Sequence, residues 1–330
     1  MNLEANQLEI QGSEIHLQTL HRAFYEKADD HCLLWVNPAQ GDPFENDPLV
    51  EDRRVRVPIN HRNFDVKFAP YLVPIDLSKS RDADIFKQSI VMACDAWELD
   101  NLLSYRGQPI AGWIASEKSA QSLAQHWARN CHVHSVGRLS KLLRFHDPGV
   151  REWLWKELTS EQQGHLLGAA QFFIAVNRQQ QLMIHSSQST ASPSSVSHEN
   201  LADDAAGKLV LRLAQWEQLK EYATIHTAWL RCCVNDASFR QSIATAPGWE
   251  KPVLAALDFA TRRGVHYQED KELLAEHVLK FGTFYHHKEM LPVWEKTGSG
   301  ESYGASIDGV FGTPGSQHLL QLQSNNLSTF

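Results

Sequence analysis

The segment "KLLRFHDPGVREWLWKEL", Lys141–Leu158, combines residues that end a strand with residues that begin a helix. Its first five residues, "KLLRF", have the length and apolar content of a strand. Proline disfavours the helical region for the residue before it, and its own fixed φ suits a first helical position. We therefore predict that Asp147 is the N-cap and Pro148 the first residue of a helix. Four apolar residues then share one helical face: Val150, Trp153, Leu154 and Leu158.

Three polar residues of this segment, Arg144, His146 and Asp147, could instead be catalytic acids, bases or ligands. The sequence places no nucleophile and no set of metal ligands beside them, so we predict that Arg144 anchors the strand-to-helix joint. Trp155 lies about 120° around the helix from the centre of the apolar face. It either packs beneath a neighbouring part of the protein or projects outward, and an exposed tryptophan would mark an interface.

The composition bounds the class of protein. The chain has 330 residues, is 42% hydrophobic and has a formal net charge of -8. This length predicts about two domains with sizeable cores, and the negative charge argues against nucleic acid as a partner. The N-terminal sequence lacks the basic and apolar regions of a signal peptide, and no segment has the ~18 consecutive apolar residues of a membrane span. We expect a cytoplasmic location without membrane insertion.

The five cysteines are odd in number and scattered, and none forms a CxxC pair. Reduced thiols are expected, with neither a disulfide framework nor a structural zinc site.

The N-terminal half mixes helix and strand patterns. Strands are predicted for "HCLLWV", "YLVPIDL" and "PIAGWIAS", and helices for "SEIHLQTLHRAFYEKA", "IFKQSIVMACDAWELDNLL" and "SAQSLAQHWARNC". Residues 38–62 contain four prolines and many charges, which favours a long surface excursion. After the joint, Ser160–Gln163 have capping-box spacing and predict a short helix that ends at Gly168, followed by a hairpin of "FFIAV" and "QLMIHS".

The composition changes after residue 185. Residues 186–204 are rich in serine and predict a linker. Residues 205–330 are mostly helical in pattern, with a Gly/Ser-rich tail from about Thr297 that we expect to be loose or to order on a partner. We predict an α+β fold, with an α/β lobe over residues 1–185, a small sheet flanked by helices, and a helical C-terminal lobe.

Catalytic signatures are missing from the sequence. No GxSxG, Walker or GxGxxG motif occurs in the expected context, so we predict no enzymatic activity and no cofactor. His126, His132 and His134 form the densest histidine group. Two histidines spaced as His-x-His on a strand face the same way, which suits a metal, but a third ligand has no diagnostic spacing. A metal-dependent hydrolase is therefore the alternative hypothesis.

Four stretches together resemble the adaptor, or effector-chaperone, family of bacterial type VI secretion: "APYLVPIDL", "GWIASEKSAQSLAQHWARNCHV", "LLRFHDPGVREWLWKELTSEQQGHLLGAAQFFIAV" and "LRLAQWEQL". The resemblance covers roughly residues 65 to 220. The matching residues form three groups: Pro70, Tyr71, Leu72 and Val73; Arg144, Phe145, Asp147, Pro148 and Val150; Phe172 and Phe173. Two positions depart from the family pattern, because His146 replaces an aromatic residue and Gly149 replaces an arginine.

This resemblance implies a non-enzymatic loader in the cytoplasm of a Gram-negative bacterium. Such a protein binds a toxic effector and helps to mount it on the VgrG spike, so the implied partners are a cognate effector and VgrG. We take Trp155, Gly149 and Trp216 as candidate partner-binding residues. An immunity or scaffold protein is a further alternative.

Overall fold

The computed structural model describes residues 14–24, 31–61, 64–104, 107–133, 141–186, 209–236, 238–244 and 248–326. The chain divides into two compact units, Met1–Leu219 and Lys220–Phe330, called here the N-terminal and C-terminal units. The predicted linker lies outside the described residues, except for Ser186.

The N-terminal unit contains a six-stranded antiparallel sheet in the order β2-β3-β1-β4-β7-β8. Its strands are β1 His31–Val36, β2 Val55–Arg56, β3 Tyr71–Ile75, β4 Ile110–Ser116, β7 Ala170–Val176 and β8 Leu182–Ser186. Two further short strands, β5 His132–Val133 and β6 Lys141–Leu142, pair with each other.

The N-terminal unit contains α1, residues 14–24, α2 Pro48–Glu51, α3 Ser80–Asp95, α4 Leu99–Leu103, α5 Ala120–Asn130, α6 Pro148–Glu157, α7 Ser160–Leu167 and α8 Leu213–Lys220. The last residue of α8, Lys220, is the first residue of the C-terminal unit. The C-terminal unit contains α9 Tyr222–Asn235, α10 Phe239–Ala244, α11 Glu250–Thr261, α12 Gln268–Phe281, α13 Leu291–Gly298, α14 Tyr303–Phe311 and α15 Ser316–Asn326. The predicted α+β class is confirmed.

The central strands are apolar because helices cover both faces of the sheet. All seven residues of β4 are buried. On one face, Phe86 of α3 meets Trp113 of β4 with ring centroids 6.1 Å apart. On the other face, Trp35 of β1 stacks on Trp127 of α5 at 4.3 Å, and Phe173 of β7 lies 5.2 Å from Trp127. This second aromatic cluster is the core on which the joint packs.

Three local predictions need correction. The strand "KLLRF" is reduced to β6, outside the main sheet, because Phe145 turns inward against Trp35. Residues 38–62 are not only a surface excursion, since they form α2 and β2 and bury Val57. The capping box of α7 begins one residue earlier than predicted, with Thr159 as the N-cap and Gln162 as its partner.

The Gly/Ser-rich tail is also ordered, contrary to expectation. Residues 303–311 and 316–326 form α14 and α15. Tyr303, Ile307, Leu319 and Leu322 are buried, which gives the segment a core that its glycine and serine content did not suggest.

Candidate partner-binding site

The strand-to-helix joint is held by Asp147. Its Oδ1 accepts hydrogen bonds from the backbone N–H of Gly149 at 3.0 Å and of Val150 at 3.2 Å. Its own N–H donates to the carbonyl oxygen of Arg144 at 2.9 Å, and Pro148 follows as the first helical residue. Because two otherwise unpaired helix N–H groups are satisfied by one carboxylate, this joint is a structural cap.

Arg151, and not Arg144, is the arginine that holds the joint from inside. The side chain of Arg144 is exposed. That of Arg151 is fully buried, donates from Nη1 to the carbonyl oxygen of Phe145 at 3.2 Å, and donates from Nη2 to the carbonyl oxygen of Ala111. It therefore ties the joint to β4. The sequence carried a signal for this placement, since Arg151 lies three residues before Leu154 and so shares its helical face.

The guanidinium of Arg151 lies over two aromatic rings. Its Cζ is 5.3 Å from the ring centroid of Trp35 and 5.8 Å from that of Phe173, which is a favourable cation–π arrangement. Burial lowers the pKa of Arg151 to about 10, so the group remains charged at neutral pH. Its Nε has no hydrogen-bond partner among the described residues.

Two buried histidines lie in the electrostatic field of Arg151. Burial, together with the positive charges of Arg144 and Arg151, lowers the pKa of His146 to about 3. Burial and the charge of Arg151 lower the pKa of His185 to about 3 as well. Both imidazoles are therefore neutral at physiological pH, and neither is poised for acid–base catalysis near pH 7.

Trp155 is half-buried at the end of the sheet. Its ring centroid lies 4.8 Å from that of His185 on β8 and 6.3 Å from that of Phe173 on β7. Trp155 thus packs against the core while part of its surface remains accessible. It stays a candidate for contact with a partner.

Gly149 is removed from the candidate set. It is buried in the first turn of α6, and its N–H is bonded to Asp147. A buried residue without a side chain offers nothing to a partner.

Residues 209–219, called here the strap, are the last residues of the N-terminal unit and pack against the rest of it. Leu209 and Leu211 are buried in the same hydrophobic core as α5. The N–H of Leu209 donates to Oδ1 of Asn130 at 2.9 Å, and Nε2 of His165 lies 3.0 Å from the same oxygen. Asn130 is thus a buried polar hub that joins α5, α7 and the strap.

A pair of glutamines fixes the rest of the strap. Nε2 of Gln162 donates to the carbonyl oxygen of Val210 at 2.7 Å, and Nε2 of Gln215 donates to the carbonyl oxygen of Glu157 at 2.5 Å. The two side chains also bond to each other. Trp216 is half-buried against the core beside them, so most of its candidate contact surface is already used within the chain.

The histidine group does not assemble a metal site in the part of the chain that the structure describes. Nε2 of His126 lies 2.8 Å from the carbonyl oxygen of His165 and 3.1 Å from Nδ2 of Asn130, which occupies it within the polar hub. Among the described residues, no group of three or more His, Cys, Asp or Glu side chains could hold a metal ion. The side chain of His132 and the whole of His134 lie outside those residues.

Part of the chain matches a known family model. Residues 65–165 match the model of a family described as "Domain of unknown function (DUF4123)". This domain is known to occur in type VI secretion effector adaptors. The match runs from the turn before β3 through the joint and α6 into α7, so the joint lies within the matched segment.

No curated protein and no solved structure matches the chain. Within the described residues, no helix combines the length and apolar character needed to cross a membrane.

Proposed function

We propose that this protein is a non-enzymatic adaptor that binds a cognate type VI secretion effector and loads it onto the VgrG spike. The observation that carries the proposal is the match of residues 65–165 to a domain found in such adaptors. The matched segment holds the joint, and the polar groups of the joint are used for structure: Asp147 caps α6 and Arg151 binds two backbone carbonyls.

The interior of the N-terminal unit supports a binding role over a catalytic one. His146 and His185 are buried and neutral, and His126 belongs to the hub around Asn130. The two buried imidazoles lack the access to solvent and substrate that acid–base catalysis requires, and His126 is held by hydrogen-bond contacts within the hub.

Co-expression with a candidate type VI toxin and a VgrG spike protein from the same genome tests the proposal. We expect affinity purification of the tagged chain to retain the toxin in a stoichiometric complex, and addition of the spike protein to give a ternary complex or transfer of the toxin. A folded, monodisperse chain that retains neither protein would overturn the proposal.

The alternative of a metal-dependent hydrolase rests on the His-x-His spacing of His132 and His134. Metal analysis of protein purified without chelators separates the two functions. An adaptor is expected to contain substoichiometric metal, whereas one equivalent of bound zinc or another transition metal would favour the hydrolase.

An immunity or scaffold role is separated by a cell assay. Expression of an adaptor promotes delivery of the toxin into neighbouring cells and does not protect the producing cell. Protection without any effect on delivery would favour immunity.

A further inference from the structure

Strand β8 forms one end of the six-stranded sheet. It pairs with β7 in an uninterrupted antiparallel register from Phe172 opposite Ser186 to Val176 opposite Leu182. Among the described residues, no strand pairs with its other side. This outer side is called here the β8 edge.

The hairpin turn fixes which backbone groups point to the β8 edge. Asn177 donates its N–H to the carbonyl oxygen of Gln181 at 2.9 Å, so these two residues form a hydrogen-bonded pair. Such pairs alternate along antiparallel strands. Met183 and His185 therefore bond to β7, whereas the N–H and C=O groups of alternate residues face outward: Leu182, Ile184 and Ser186.

Within the described residues, the β8 edge lacks three features that often prevent strand pairing: a charged residue, a proline and a bulge. Its sequence, "LMIHS", contains no charged residue and no proline, and its register with β7 has no bulge. Natural edge strands are usually protected by one of these features. Ile184 is 60% exposed at the centre of the strand, so the edge presents both backbone groups and an apolar side chain.

Both faces beside the β8 edge offer contacts to an added strand. On one face the exposed side chain of Ile184 is available. On the other, His185 is buried, its Nε2 has no hydrogen-bond partner among the described residues, and the half-buried ring of Trp155 lies 4.8 Å from it. Side chains of an added strand would alternate between these two faces.

We propose that the β8 edge binds an extended, uncharged segment of the effector, which adds a seventh strand to the sheet with apolar residues at alternate positions. This inference rests on the proposed adaptor function and assigns the β8 edge as the surface that contacts the effector. Main-chain bonds would supply affinity, and the Ile184 and Trp155 faces would supply selectivity. Pairing of two five-residue strands alone covers far less than the roughly 1,000 Å² of a stable interface. This argues against a stable symmetric dimer built on the β8 edge, whereas an effector segment can pair here as one part of a larger contact.

A proline at position 184 tests the backbone contact. Ile184→Pro removes an outward N–H but none of the bonds to β7, and proline is tolerated at an edge whose N–H faces solvent. We expect this variant to keep its thermal unfolding midpoint within a few degrees and to bind the toxin that co-purifies with the wild type about tenfold more weakly or worse. The matched control, Ile184→Val, keeps the amide and should bind like the wild type.

Hydrogen exchange of the wild-type complex gives a readout that needs no variant. The outward amides of Leu182, Ile184 and Ser186 should gain protection on binding the toxin, while the amides of Met183 and His185 are already protected by β7. If Ile184→Pro fails to fold, this measurement alone decides.

The outcomes separate the two proposals. Two outcomes would overturn the β8 inference and leave the adaptor function standing. In one, the wild-type complex forms but the amides of β8 gain no protection; in the other, a folded Ile184→Pro variant binds the toxin with undiminished affinity. Protection in the free chain that rises with its concentration would assign the edge to a second copy and also overturn the inference. Absence of any complex would overturn the adaptor function itself.

Discussion

Asp147 satisfies two N–H groups of α6 with one carboxylate oxygen. Replacing Asp147 with alanine is expected to lower the free energy of unfolding by about 1 kcal/mol, the usual contribution of an N-cap. Asp147→Asn is the matched control, since asparagine caps helices nearly as well. Urea denaturation measures both variants. An Asp147→Ala protein that stays fully stable but loses its partner would show that Asp147 is a contact residue.

Arg151 has a larger role, because its loss removes a donor from two buried carbonyls, those of Phe145 and Ala111. We expect Arg151→Met to lower the free energy of unfolding by about 2–4 kcal/mol, from about 1–2 kcal/mol for each unsatisfied group. Arg144→Met changes an exposed side chain of the same type, and its effect should stay within about 0.5 kcal/mol. Equal effects in the two variants, measured by urea denaturation, would contradict the assignment of the joint to Arg151.

His146 makes the fold sensitive to acid. Burial lowers its pKa to about 3, whereas an unfolded histidine titrates near 6.5. The unfolded state therefore binds more protons between these values, so the contribution of His146 is complete above about pH 6.5 and is lost as the pH falls toward 3. From pH 7 to pH 5 the loss is about 2 kcal/mol.

The variant His146→Phe tests this linkage, because phenylalanine fills the buried position with a ring that does not titrate. The decrease in unfolding free energy between pH 7 and pH 5 should become smaller by about 2 kcal/mol. Replacement of His266, whose side chain is exposed, is the control for the substitution of a histidine as such. An unaltered slope in His146→Phe would show that His146 is not the acid-sensitive group.

At the scale of elements, the strap depends on Asn130. The Asn130→Ala variant removes the acceptor for the N–H of Leu209. We expect the free energy of unfolding to fall by about 1–3 kcal/mol, because the polar groups that Asn130 bonded are left unpaired. Hydrogen exchange at Leu209 and acrylamide quenching of Trp216 should both increase. Gln125→Ala, on the exposed face of the same helix, is the control, and identical behaviour of the two variants would exclude a hub role for Asn130.

The joint and the helix after it were predictable because their signals are local. Asp147 and Pro148 define a helix start by backbone geometry alone, and α6 and α7 follow from periodicity and capping. The length of β6 was not predictable. Phe145 leaves the strand direction to pack against Trp35, which is distant in sequence, and no local pattern contains that contact.

At the scale of the whole molecule, Tyr303 tests whether the Gly/Ser-rich tail belongs to the core of the C-terminal unit. Its ring stacks on Trp294 at 5.7 Å, its hydroxyl lies 3.2 Å from Nδ1 of His277, and its N–H donates to Asp270 at 2.9 Å. We expect Tyr303→Ala to destabilise the unit by about 3–5 kcal/mol, as for other large buried aromatic residues. Calorimetry measures this change.

The matched control is Tyr267→Ala, because Tyr267 is 69% exposed in the same unit. The Tyr267→Ala substitution should change the temperature of the unfolding transition only slightly. A neutral Tyr303→Ala would mean that α14 does not contribute to the core.

The sequence by itself determined the α+β class, the hairpin of β7 and β8, and the cap that starts α6, because periodicity and capping depend on neighbouring residues. It also carried the resemblance to type VI adaptors, and residues 65–165 match a domain that occurs in such adaptors. Tertiary structure alone decided which backbone carbonyls Arg151 binds inside the joint, that Asn130 holds the strap, and that the tail is helical. Each of these depends on contacts between residues far apart in the chain, for which burial and hydrogen-bond satisfaction outweigh local propensity.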